Sequence, residues 1–163
     1  MRVKVFGPMA AFLLLAACAD QAATTTETET MATPVTPPAS MSAQEDLVIN
    51  VGDRVFFDFD KSDLRPDAID TLNRQSDWLS ANGAITVAIE GHCDERGTRE
   101  YNLALGERRA AAAKQYLESM GVSGGRIDTV SYGKERPAVL GSNEAAWAQN
   151  RRAVMVVKSG DLS

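Results

Sequence analysis

From Ala19 to about Glu45 the chain holds no aromatic residue; Ala, Thr, Pro, Ser and Glu dominate it, with Thr24-Thr25-Thr26 and Pro37-Pro38 as its most biased runs. A stretch so poor in apolar surface cannot offset the entropy of ordering its own backbone, and residues 18–45 read as a disordered linker. As a coil it would span roughly 30 Å, or ~90 Å pulled taut. Whatever folds must come from the rest of the 163 residues, which suffices for one modest core. The expected folded segment is 46–163.

Residues 1–17 read as an address. Arg2 and Lys4 precede an apolar run from Val5 to Ala17, interrupted by Gly7 and Pro8. The run is shorter than the ~20 apolar residues a spanning helix needs and fits a secretory signal. Its exit, Leu15-Ala16-Ala17-Cys18, resembles a bacterial lipobox. The resemblance implies cleavage before Cys18 and attachment of diacylglycerol to the Cys18 sulfur. Several acyl chains on one residue anchor stably where one chain is marginal. Ala rather than Asp at position 19 implies, by the same resemblance, the outer membrane, with the domain facing the periplasm.

The side chains sum to 17 basic against 22 acidic, a net charge of −5, and loss of Arg2 and Lys4 with the signal would leave −7. That balance speaks against nucleic acid as a partner, since such binding rests on neutralising phosphates with Lys and Arg. One histidine and two cysteines leave little for metal chemistry. His92, Cys93, Asp94 and Glu95 are consecutive, so they cannot all converge on one ion, and no distant His or Cys completes a set. Neither a metal nor a cofactor is expected.

Within 46–163 the pattern alternates between strand and helix. A short strand is expected at Leu47-Val48-Ile49 and a longer one from Arg54 to Asp60. Pro66 suits a first helical turn; Ala68, Ile69, Leu72, Ser76 and Leu79 then recur at helical spacing until Asn82-Gly83. Ile85–Ile89 reads as a strand. The longest helix is expected from Arg99 to Met120, with Leu103, Ala110, Ala113 and Leu117 as its buried stripe and Gly121 as its stop. A third strand, Arg126–Tyr132, follows the Gly124-Gly125 turn. A short helix over Glu144–Gln149 and a last strand over Ala153–Val157 complete the chain. The order predicts an α/β sandwich: a mixed sheet with helices on one face, each long helix crossing between parallel strands.

The densest polar cluster, Glu90 to Glu100, lies between a strand's carboxyl end and a helix start, where open α/β sheets place ligands. Leu105 and Arg109, four apart on the next helix, share a face that can point toward this loop. Asp94 on the loop and Arg109 on the helix then form complementary hooks for a zwitterion, the carboxylate for an ammonium and the planar guanidinium for a carboxylate. Against this stands a plainer reading, in which Asp94 and Arg109 bridge each other to tie loop to helix. His92 reads as a hydrogen-bonder orienting the loop, and Cys93 as a small half-buried residue without a base to activate it. Gly106, at a helical position that Ala would favour by ~1 kcal/mol, predicts a close backbone approach or a compensating contact.

Val55-Phe56-Phe57-Asp58-Phe59-Asp60, Gly91-His92-Cys93-Asp94-Glu95-Arg96-Gly97-Thr98, Tyr101-Asn102, Leu105-Gly106-Glu107-Arg108-Arg109-Ala110 and Tyr132-Gly133-Lys134-Glu135-Arg136-Pro137 together resemble the OmpA-like domain family. The resemblance implies non-covalent binding of peptidoglycan, chiefly the meso-diaminopimelate of its stem peptide, with Asp94 on the ammonium, Arg109 on the carboxylate and Leu105 as an apolar wall. Phe59, Asp60 and Arg96 fall at further contact positions. It also implies TolB and other Tol-system proteins as partners, and no bond-making chemistry. Gly106 stands where many members carry Ser, and Cys93 where Thr or Ala is common. Two other classes compete: a wall hydrolase using Asp94, Glu95 and His92, and a purely protein-binding module. Under the binding reading, Asp94→Ala or Arg109→Ala should abolish binding to sacculi and leave the fold intact.

Overall fold

A computed structural model describes residues 41–162; the signal, Cys18 and nearly all of the linker lie outside the described residues. The first element is α1 (Ala43–Asp46), continued by a π-helical turn over Leu47–Val51. The strand expected at Leu47–Ile49 is therefore helical, and the ordered chain begins before Asp46. Ser42 caps α1 through a reciprocal capping box with Glu45, a local signal that outweighs the short apolar run behind it.

Strand β1 is only Arg54–Phe56, shorter than expected. Phe57 still donates its N–H to Arg151 O at 3.0 Å, after which the chain turns away; Asp60 has φ +59°, in the left-handed region that ends a strand. Helix α2 spans Pro66–Ala81, β2 Thr86–His92, and α3 Arg99–Ser119. A 3₁₀ turn at Gly124–Arg126 leads to β3 (Ile127–Gly133), then α4 (Glu144–Asn150) and β4 (Arg152–Ser159).

The sheet order is β1-β4-β2-β3. Strands β2 and β3 are parallel, as α3 between them requires, and β4 runs antiparallel to both of its neighbours. Helix α2 likewise joins two strands that point the same way, β1 and β2, with β4 inserted between them. The longest strand thus pairs on both edges, an arrangement set by non-local partners that no local pattern encodes. Val55, Ala153, Met155, Ile89, Val87 and Ile127 face α2 and α3 in one core with Leu72, Leu79, Ala110, Ala113 and Leu117. The opposite sheet face carries half-buried Ala88, Val130, Val154 and Val156.

The buried stripe of α3 also differs from expectation. Leu103 is exposed, and Asn102, Leu105, Gly106 and Arg109 take the inward positions ahead of Ala110, Ala113 and Leu117. The backbone approach expected at Gly106 is present: a Cβ there would sit 2.3 Å from Ser131 Oγ and 2.9 Å from Gly91 O. A Cβ on Gly91 would sit 1.9 Å from Gly106 O, so helix and strand touch backbone to backbone. This crossing brings the start of α3 down onto the end of β2 and sets the depth of the site.

Candidate functional site

At the carboxyl end of β2 a cavity of about 210 Å³ opens between the 93–98 loop, the first turns of α3 and the loop after β1. All six residues singled out from the sequence line it: Phe59, Asp60, Asp94, Arg96, Leu105 and Arg109. Tyr101, Asn102, Gly97 and Cys93 complete the wall.

Arg109 forms the floor and is fully buried. Its Nε donates to Lys61 O at 2.8 Å, Nη1 to His92 O at 2.8 Å and Nη2 to Asp58 O at 3.2 Å. A guanidinium carries five N–H groups, so this clamp leaves part of the fork for the cavity while fixing its plane. Burial holds the Arg109 pKa below its usual value, but a guanidinium stays charged. Leu105, one turn earlier and 4% exposed, supplies the apolar surface beside it.

Asp94 does not bridge to Arg109 as the plainer reading proposed. Its Oδ1 accepts from the Arg96 backbone N at 3.1 Å and from Arg96 Nε at 3.2 Å; its Oδ2 accepts from Arg96 Nη2 at 2.7 Å and Arg151 Nη1 at 3.4 Å. Burial pushes the Asp94 carboxyl up, yet these hydrogen bonds and charges outweigh it and hold the pKa below the ordinary carboxylate value. Arg151 in turn donates to Phe57 O at 3.1 Å and Glu144 Oε1 at 2.7 Å, tying β1, α4 and the loop into one scaffold.

The loop itself is braced throughout. Thr98 caps α3 by accepting from Tyr101 N, Asn102 Nδ2 donates to Arg96 O at 2.7 Å, and Lys134 Nζ donates to Gly97 O at 2.6 Å. Gly97, at φ +89°, makes the turn that Asn102 holds. At the rim, Tyr101 Oη donates to Asp60, and Phe59 is 56% exposed.

The neighbouring residues are deeply buried. His92 is 2% exposed, packed beside the Arg136 backbone with Glu90 Oε2 3.6 Å from its Nε2. Burial, with Arg152 and Arg136 nearby, lowers its pKa to about 4. Cys93 is fully buried rather than half-buried; its Sγ donates to Asn102 O at 3.3 Å, and burial pushes the thiol pKa up. Arg151, Glu144 and Trp147 support the loop from more than forty residues away, whereas local pattern alone has Trp147 and Arg151 only packing against and capping the last strand. Among the described residues no group of His, Cys, Asp and Glu is placed to hold a metal ion.

A small α/β sandwich with a charged cavity at the strand–helix junction defines a class, and comparison with known proteins gives it a family. The OmpA family model matches residues 56–151. The peptidoglycan-associated lipoprotein of Rhizobium meliloti is 55% identical over 119 residues, 73% of this chain and 68% of the relative. That of Brucella melitensis is 52% identical over 73% of this chain and 71% of its own length. Among solved structures, the peptidoglycan-associated lipoprotein from Burkholderia pseudomallei matches with a TM-score of 0.63 at 42% identity, covering 65% of this chain and 90% of that one. The C-terminal domain of Helicobacter pylori MotB matches with a TM-score of 0.61 at 16% identity, covering 66% of this chain and 84% of that one, a likeness of fold alone. The chain belongs to the OmpA family and, within it, groups with the peptidoglycan-associated lipoproteins.

Proposed function

We propose that this chain is an outer-membrane lipoprotein, anchored through Cys18, whose periplasmic domain binds peptidoglycan non-covalently and tethers the outer membrane to the wall. The relatives' shared name supports the wall as target. The ligand group is the meso-diaminopimelate of the stem peptide, which ends in one ammonium and one carboxylate on a single carbon. The observation that carries this reading is the pairing, in one cavity of about 210 Å³, of a carboxylate held ionised with a clamped guanidinium, Leu105 between them in sequence and on the wall. That volume suits an amino-acid terminus and is too small for a disaccharide.

The hydrolase reading fits the geometry poorly. A wall-cleaving acid needs a carboxyl with a raised pKa, whereas Asp94 and Glu95 are both held low, Glu95 by hydrogen bonds from Ser142 and Trp147. His92 is not part of the cavity lining. Binding without bond cleavage, multiplied over many anchored copies, is enough for a tether, because avidity raises weak contacts. TolB and other Tol-system proteins are the expected protein partners, in the Tol–Pal machinery that draws the outer membrane inward at division.

The test is sedimentation with purified sacculi. The chain should pellet with walls containing meso-diaminopimelate, release no fragments, and pellet poorly with walls carrying lysine at the third stem position. Asp94→Asn, which keeps the side-chain shape, should lose most of the binding. Undiminished pelleting by a folded Asp94→Asn protein would show that the ammonium docks elsewhere, and fragment release would restore the hydrolase.

A further inference from the structure

We propose that Arg96 is the resident counter-ion of this site, displaced from Asp94 by the incoming ammonium, and that this exchange restricts entry to ligands carrying both charges. The inference rests on the zwitterion reading above. A carboxylate offers about four lone-pair positions, and four donors already occupy Asp94, three of them from Arg96 and one from Arg151. An ammonium cannot bond Asp94 until one donor withdraws.

The two arginines differ in freedom. The Arg151 side chain is 8% exposed and is held at both ends, on Phe57 O and Glu144. The Arg96 side chain is 30% exposed, and apart from its carboxylate partners its guanidinium lies between the rings of Phe59 and Trp147, 4.0 Å from each centroid. Aromatic faces hold a cation through its flat side and leave its edge unconstrained, so the guanidinium can shift in its own plane without leaving either ring. A second anion waits in that direction. Glu144 Oε2 lies 3.9 Å from Arg96 Nη1, and the Glu144 side chain is 65% exposed. Movement of Arg96 toward Glu144 uncovers Asp94 while keeping the arginine paired, and the Arg96 backbone N–H stays on Oδ1.

Selectivity follows from the exchange. A ligand bearing only an ammonium replaces one cation at Asp94 with another and gains little. A ligand that also brings a carboxylate adds a pairing with the Arg109 fork, which offsets the cost of displacing Arg96. Arg96 is thus a specificity-determining residue rather than a second fixed hook.

The experiment uses the full chain in detergent micelles, titrated by calorimetry with a disaccharide-tripeptide carrying meso-diaminopimelate and with its lysine counterpart. In Arg96→Gln the resident cation is gone. The lysine form should bind at least about threefold tighter than to the wild type, and discrimination between the two should narrow. Unchanged discrimination, or weaker binding of both forms, overturns the proposal. A second readout needs no variant: the Arg96 Nε–Hε signal, displaced by its two flanking rings, should move when wild-type protein is saturated with the meso-diaminopimelate form. A stationary signal in a protein that binds sinks the exchange and leaves the zwitterion reading standing, whereas absence of wild-type binding to either form sinks both.

Discussion

Arg109 heads the fully buried side chains by size among the described residues, and it joins two backbone carbonyls of the loop after β1 to one at the end of β2. The clamp therefore predicts, against the sequence-based expectation, that Arg109→Ala weakens the fold as well as the cavity. Removing Arg109 strands the buried His92 carbonyl, frees two part-buried carbonyls and leaves a cavity in the core, and the expected loss is roughly 3 kcal/mol of stability, measured by denaturant unfolding. An Arg109→Ala protein unfolding at the wild-type midpoint would contradict this. Arginine in a binding motif reads as a ligand group from sequence; that the same group props up the loop after β1 is visible only once the chain has folded around it. His92 supplies the second residue-scale prediction. Its pKa falls from 6.5 in the unfolded chain to about 4 in the folded one, so the unfolded state takes up the proton first. Stability should then be flat above pH 6.5, fall by about 3 kcal/mol as pH drops toward 4, and lose nothing further to His92 below that. The Arg136 backbone eases protonation through a hydrogen bond, and Glu90 Oε2 lies 3.6 Å from Nε2, while the Arg152 and Arg136 charges oppose it. Asp94 works in a lower window, its stabilisation lost only as pH falls through its depressed folded pKa. A His92→Leu protein should lose the upper phase and keep the lower; an unaltered profile would refute the assignment.

At the scale of elements, the contact between α3 and β2 governs the site. Gly91→Ala drives a methyl into the Gly106 carbonyl, backbone against backbone, and should cost about 3 kcal/mol because neither chain can yield alone. Gly106→Ala meets Ser131 Oγ first, a side chain tied to Leu103 O at 2.6 Å. Ala gains ~1 kcal/mol of helix propensity over Gly, so the net loss should be smaller than at Gly91. Thermal melts of the two variants check the ranking, and equal midpoints would show that the helix simply slides. Helix boundaries were legible here because Pro66, Thr98 and Gly121 punctuate the chain locally. The stripe of α3 was not, because Arg109 occupies an inward position where an apolar residue is the usual signal, and exposed Leu103 took its place in the reading. The insertion of β4 between β1 and β2 was likewise hidden, since strand partners more than ninety residues apart leave no periodic trace.

For the whole molecule, the sequence located the cavity better than the domain's edge. The six lining residues expected from sequence come from three motifs whose order survives in the fold, while the edge depends on contacts that α1 makes far from itself. Leu47 is fully buried, Trp78 Nε1 donates to Asp46 Oδ2 at 2.6 Å, and Gln44 Oε1 accepts from Val157 N at 2.8 Å, just beyond the irregularity where β4 slips against β2. A chain cut at Asp46, the boundary composition suggests, loses the Ser42 capping box and the Gln44 bond to β4 together. A cap is worth ~1 kcal/mol and a backbone hydrogen bond about as much. At this size each kcal/mol shifts the midpoint by about 4 °C, so a protein starting at Asp46 should melt several degrees below one starting at Met41. Gln44→Ala within the longer chain should reproduce part of that drop. Identical midpoints for both lengths would mean that α1 rests on the domain without supporting it.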